Sequence, residues 1–234
     1  MNTPKVIHWF RQDLRLSDNP ALFEAAKNSS ILPIYILDNI NSKELAMGEA
    51  SRFWLHHSLN SLNKSLDQNL SIYSGDPIKV ILDIIDRLDI KEIFWNRCYE
   101  PWRINRDTHI KKELESKGIK VNTLNGSLLW EPWTIKKGDG TPYKVFTPYF
   151  RKGCLLSDEP RKPISTPINL DLFNDNNSLK DINALSLLPS TKWDIKMKSF
   201  WNIGELGANN RLTEFLNNGV ENYKVGRNIP SKPF

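Results

Sequence analysis

The sequence predicts an α/β protein with a doubly wound, mostly parallel five-stranded sheet, then a long connection and the start of a helical region. Three observations carry this. Short apolar runs rich in β-branched and aromatic residues recur five times within the first 130 residues. Helical stripes with apolar residues three and four apart separate them. Beyond about residue 149 the alternation gives way to a stretch rich in Pro, Asn, Asp and Ser. Repeated β-α units of this length imply parallel strands with helices on both faces.

The elements follow in order. Residues 5–10 read as a buried strand. Residues 11–19 are a polar loop, after which Asn19 caps a helix with Pro20 at its first position and Ala21, Leu22, Ala25 and Ala26 along one side. Residues 31–37 form the second strand. A long helix over residues 49–68 carries Phe53, Trp54, His57, Leu59, Leu62 and Leu66 at helical spacing. The third strand spans residues 70–73, and the turn at residues 74–77 opens a helix that buries Val80, Ile81, Ile84, Ile85 and Leu88. Residues 91–96 are the fourth strand. Asp107 is placed to cap a helix carrying Ile110 and Leu114 and ended by Gly118, before the fifth strand at residues 119–124. Residues 149–199, punctuated by Pro160, Pro163, Pro167 and Pro189, form a long connection. Residues 208–216 are helical, with Leu212, Phe215 and Leu216 on one side. The expected division is 1–133 for the α/β unit, 134–200 for the linker and 201–234 for the helical start.

Composition narrows the function classes. The chain has 234 residues, 39% hydrophobic and 25% charged, as in ordinary globular proteins. No run approaches the roughly 18 apolar residues of a membrane span. The N-terminus runs straight into a strand with no signal-peptide layout, so a cytosolic protein is expected. Two cysteines, Cys98 and Cys154, make neither a disulfide framework nor a four-ligand zinc site. A net charge of +5 fits either a polyanionic partner or a solvated basic surface.

Ligands of doubly wound sheets bind at the carboxyl ends of the strands. No G-x-G-x-x-G follows the first strand and no P-loop occurs, which argues against dinucleotide dehydrogenases and P-loop NTPases. No G-x-S-x-G elbow is present. His56 and His57 are adjacent on a helix, about 100° apart, and do not readily share a metal. Cys98 has no neighbouring histidine in sequence to activate it. A ligand would therefore be held by side chains of the loops at residues 11–18, 38–47 and 97–107.

Four segments resemble one family. WFRQDLRLSDNPAL at residues 9–22 looks like the opening signature of the photolyase/cryptochrome family. WNRCYEPW at residues 95–102, with Arg106 and Asp107 soon after, resembles the loop after the family's fourth strand. PYKVFTPY at residues 142–149 and the run from GELGA at 204–208 to YKVGRNIP at 223–230 are similar to later family elements. The pattern is most like the N-terminal half of a bacterial class I cyclobutane pyrimidine dimer photolyase.

The resemblance implies an antenna domain of Rossmann-like fold joined to a helical FAD domain. It implies light-driven repair of pyrimidine dimers in UV-damaged DNA by electron transfer from reduced FAD. It also implies a cytoplasmic monomer. The alternative is a cryptochrome-like blue-light photosensor without repair. The chain stops before the segments that would complete the FAD site, so no catalytic residue is assigned and the chain alone is expected to be inactive. Candidate antenna-pigment residues are Arg52, Glu100, Trp102 and Arg103. The Asn-Glu pair that grips methenyltetrahydrofolate in some members falls at Trp102 and Arg103, a departure that leaves folate, deazaflavin and FMN-type pigments open. Tyr223 aligns with the FAD-phosphate tyrosine and Arg227 with a residue near the DNA substrate. Arg11, Asp13 and Arg15 belong either to a pigment or domain contact or to a local ion-pair network. The eight tryptophans are read as packing residues.

Overall fold

The computed structural model describes residues 3–229; Pro230, at the end of the last family-like segment, lies outside the described residues. Five strands form the sheet: β1 (Lys5–Phe10), β2 (Ser30–Leu37), β3 (Ser71–Ser74), β4 (Glu92–Asn96) and β5 (Lys120–Leu124). Their order is β3-β2-β1-β4-β5, and every pair is parallel. Four helices make the crossovers: α1 (Pro20–Ala25), α2 (Glu49–Ser65), α3 (Pro77–Leu88) and α4 (Pro101–Ser116). Shorter helices follow: α5 (Phe146–Pro148), α6 (Asp194–Lys198), α7 (Glu205–Asn218) and α8 (Tyr223–Gly226).

The alternation of side chains on β1 sorts the core into two faces. Val6 and Phe10 pack with Leu22, Leu59, Leu62 and Leu66 of α1 and α2. Ile7 and Trp9 pack with Ile81, Ile84, Ile110 and Leu114 of α3 and α4. Each fully buried side chain of this size contributes about 1.5–3 kcal/mol. The winding follows from the order: the first two crossovers run one way from β1, the next two run the other way.

Two details of the sequence reading change. α4 starts at Pro101 with Glu100 as its cap residue, not at Asp107. Proline loses no intrahelical bond in the first turn, and Asp107 is engaged by Arg11 and Arg106 instead. On α2 the buried residues are Phe53, Leu55, His56, Ser58, Leu59 and Leu62, so Trp54 and His57 turn outward relative to the expected stripe. His56 and His57 sit edge to face, and no group of three metal-ligating side chains occurs among the described residues.

A boundary at residue 133 does not divide the core. Residues 171–187 fold back as a strap over the β2–β3 side of the sheet. The Ile31 N–H donates to the Asp171 carbonyl at 2.8 Å, and the Phe173 N–H donates to the Ile31 carbonyl at 3.0 Å. The Leu179 N–H donates to the Ile72 carbonyl at 2.8 Å, which covers part of the β3 edge. Asp175 accepts from the Tyr73 hydroxyl at 2.6 Å and from Arg87 at 2.7 Å. Ile182, Leu185 and Leu187 are buried in the α1–α2 side of the core.

Candidate functional site

The winding order reverses between β1 and β4, and the loops leaving these strands diverge there. A cavity of about 630 Å³ opens at this end of the sheet. The β1 loop supplies Trp9, Arg11 and Arg15, the end of β2 supplies Tyr35 and Asp38, and the first turns of α4 supply Trp102, Arg103 and Arg106. The far wall comes from Trp54, Leu55 and Ser58 of α2 and from Gly204, Glu205 and Ala208 at the start of α7. All three loops picked out by sequence contribute lining residues.

Aromatic faces and guanidiniums alternate through this site. Arg11 and Arg106 lie over the Trp9 ring at 5.0 and 5.1 Å from its centroid. Arg103 and Arg106 lie over the Trp102 ring at 4.6 and 5.2 Å. Such contacts hold a planar surface open beside fixed positive charge.

The two most buried arginines of the site are paired. Arg106 donates to Asp38 at 3.0 Å and to Asp107 at 2.8 Å. Arg11 donates to Asp107 and to the Asn96 carbonyl. Burial works against the Arg106 charge, but Asp107 and Asp38 outweigh it and hold the guanidinium above its usual range. Asp13 accepts from the Arg11 N–H at 3.0 Å and from Asn96 at 2.5 Å. Arg15 donates to the Asp18 carbonyl at 2.8 Å and the Gly126 carbonyl at 2.6 Å. These three residues thus build the local network that fixes the loop, while Arg11 and Arg15 also line the cavity.

Some donors stay without partners. Trp9 is 1% exposed and its Nε1–H has no hydrogen-bond acceptor. The Nε of Arg11 and of Arg103 is in the same condition. An unpaired buried donor costs about 1–3 kcal/mol.

The wall from α7 is tied in by one carboxylate. Glu205 accepts from the backbone N–H of Leu16 at 2.8 Å and of Ser17 at 2.9 Å, and from the Ser17 hydroxyl. Gly204, at φ 116°, lets this turn press against Ser61 where a Cβ would collide.

The candidate residues are distributed unevenly. Trp102 and Arg103 line the cavity. Glu100 stands beside it, accepting from Gln12 at 2.7 Å and facing Arg103 at 3.4 Å. Burial opposes the Glu100 charge, yet hydrogen bonds from backbone N–H and Gln12 hold the carboxyl below its usual range. Arg52 is not among the cavity's lining residues; it donates to the Ser186 carbonyl at 2.9 Å and anchors the strap. Tyr223 and Arg227 lie apart from the cavity around α8, where Tyr223 meets Phe215 edge to face and Arg227 lies over its ring. Burial pushes the Cys98 thiol up, which removes it as a poised nucleophile. The sequence reading did not single out Trp9, Asp38, Arg106 or Glu205, although Asp38 and Arg106 fall within two of its candidate loops. The first three carried a signal, since Trp9 and Arg106 stand in family-like segments and Asp38 begins a loop at a strand end.

A cavity at the switch point of a doubly wound sheet defines the class: an α/β domain of the kind whose small ligands sit above the strand ends. The DNA photolyase family profile matches residues 6–167. The chain belongs to that family. It is 35% identical over 238 residues to a deoxyribodipyrimidine photo-lyase of Agrobacterium fabrum, covering 100% of this chain and 49% of that protein. It is 39% identical over 156 residues to cryptochrome-2 of Arabidopsis thaliana, covering 64% of this chain and 25% of that protein. In three dimensions it matches a bacterial class III photolyase from Agrobacterium tumefaciens with a TM-score of 0.91 at 34% identity, over 100% of this chain and 48% of the other. That relative is described as class III, whereas the motifs alone read as most like class I. The chain spans about half the length of the photolyases it matches.

Proposed function

We propose that the cavity binds a light-harvesting pigment, and that the protein takes part in light-driven repair of UV-damaged DNA as a deoxyribodipyrimidine photo-lyase. The observation that carries the pigment reading is a cavity above the strand ends, bounded by the Trp102 ring and lined by Arg11, Arg15, Arg103 and Arg106. The volume of about 630 Å³ suits a flavin- or pterin-sized molecule. A bound pigment would supply light absorption. Trp102 would stack on its ring, and α2 and α7 would keep water from its faces. Glu100 would orient Arg103. Folate, deazaflavin and FMN-type pigments all remain within this reading.

The FAD roles fit less well. Tyr223 is 48% exposed and lies on a short helix beside Phe215 and Arg227. Arg227 as a DNA contact, and the protein as a cytoplasmic monomer, are proposals of the same kind. No helix among the described residues is long and apolar enough to cross a membrane.

The test of the pigment reading is direct. The purified chain is mixed with FMN, with methenyltetrahydrofolate or with a deazaflavin, and retained absorbance is measured after gel filtration. One of these is expected to remain at one per chain, and Trp102→Ala is expected to weaken it by about tenfold, the size of one stacking contact. Retention of none of them overturns it. A blue-light photosensor is the second reading, favoured by the identity to the plant cryptochrome. A dimer-repair assay on a protein carrying both this region and an FAD domain separates the two.

A further inference from the structure

We propose that residues 134–162 form a nucleic-acid-binding surface that grips an unpaired strand, damaged or not. The proposal takes from the reading above only that nucleic acid is a partner, and it needs no pigment in the cavity.

Charge is the first observation. The segment holds seven basic and three acidic residues, a net +4 against +5 for the whole chain. The rest of the protein is therefore close to neutral, and its positive field is concentrated here. Arg161 is paired with Asp18. The other six, Lys136, Lys137, Lys144, Arg151, Lys152 and Lys162, form no ion pair among the described residues. Asp139 is engaged within its own turn, accepting from the Thr141 N–H at 2.9 Å and hydroxyl at 2.6 Å.

The fold gathers these cations. Ile135 is buried, and a Cβ on Gly153 would strike both Ile135 and Tyr143. Residues 135, 143 and 153 thus pack on one another. Lys136, Lys137, Lys144, Arg151 and Lys152, their near neighbours in the chain, are brought around this one nucleus. The segment is fixed to the sheet domain at both ends. Glu131 accepts from Arg97 and from the Tyr99 hydroxyl, both at 2.7 Å. Asp18 accepts from Arg161 and from the Ile164 N–H.

A flat apolar surface is the second, independent observation. Phe146 of α5 and Phe150 in the turn after it are 73% and 40% exposed. Their rings lie 6° from parallel, with centroids 5.8 Å apart. Exposed rings among unpaired cations are the chemistry of single-strand binding, in which rings stack on bases and cations meet phosphates. A lipid surface would call for a longer amphipathic helix than the three residues of α5.

The full chain is titrated into a fluorescent oligothymidylate of about 15 nucleotides, and into the matching duplex, over a range of salt. The single strand is expected to bind more tightly than the duplex. Its log affinity should fall against log salt with a slope of about −3, that of about four phosphate contacts. The triple variant Lys136→Ala, Lys144→Ala, Lys152→Ala should make that slope shallower by about 2. Phe146→Ala and Phe150→Ala should each weaken single-strand binding by about tenfold and leave the slope unchanged. Lys79→Ala, Lys112→Ala and Lys117→Ala together remove the same charge from exposed positions along α3 and α4, and should leave the slope as it was. An equal loss from this second triple, silent phenylalanine variants, or no binding to oligothymidylate at low salt overturns the proposal. Binding to phosphatidylserine vesicles in place of the strand does so too. None of these outcomes bears on retention of a pigment, so the two readings fail separately.

Discussion

The sheet and the strap are held by different physics. β1, at the centre of the sheet, is covered on both faces by crossover helices and buries Ile7 and Phe10 completely. The strap has no regular element longer than the four-residue turn Ile182–Leu185. It is held by a few backbone hydrogen bonds, the Asp175 cluster and three apolar side chains. The sheet's order thus comes from periodic burial, and the strap's order from point anchors set by a finished sheet.

That contrast can be broken first at Asp107, the carboxylate shared by two buried arginines. Asp107→Ala leaves Arg11 and Arg106 short of their shared carboxylate. The expected loss is about 3–5 kcal/mol in urea unfolding. A loss under 1 kcal/mol would mean the sheet end does not depend on the pair. Leu185→Ala, in the strap, is expected to cost about 3 kcal/mol. Limited proteolysis should then cut residues 171–187 first, whereas simultaneous cutting throughout the chain would make strap and sheet one unit.

Acid sharpens the comparison. Burial lowers the His8 pKa to about 4, against opposition from Asp13. The unfolded chain holds more protons on this group below its ordinary value near ~6.5. Its neutral form is therefore accommodated fully above about that value, and the sheet loses stability as pH falls from there towards 4. His8→Leu should flatten this part of the profile. Asp175 behaves differently. Burial alone would raise it, but Arg87 and Tyr73 hold its pKa at about 2. Its contribution is fully present above the unfolded value of ~3.9 and is lost as pH falls through about 2. The gap in stability between the parent chain and Asp175→Asn should accordingly close between those limits. The sheet should feel acid before the strap does, and the reverse order would refute this division.

The smallest effect is expected on the exposed apolar residues near the end of the described chain. Phe200 and Leu206 are 74% and 71% exposed. Phe200→Ser and Leu206→Ser should change stability by no more than about 0.5 kcal/mol.

Legibility in the sequence follows the same line. β1 was readable to the residue because its apolar run is continuous. The start of α4 was misplaced because Asp107 has the chemistry of a cap, and only the fold brings Arg11 and Arg106 to it. The strap was read as linker because its sequence lacks a period, and its anchors are residues about 100 positions away, as in the Tyr73 to Asp175 bond. In the site, Trp102 and Arg103 were named from their place at a strand end. Arg52 meets the Ser186 carbonyl rather than the cavity, because helix position alone does not tell which neighbour a long side chain finds. Glu205 gave no local signal, since its partners are the backbone of residues 16 and 17.

The Glu205 contact has a consequence for the order in which the cavity comes into being. It joins positions 188 and 189 residues apart. Closing so long a loop is among the slower events open to the chain, and it gains nothing until β1 and its loop are in place. Sheet and α4 come first in synthesis, so a ligand arriving early meets an open shelf. The last wall closes over it only after residue 209 has been made, and loading can precede enclosure.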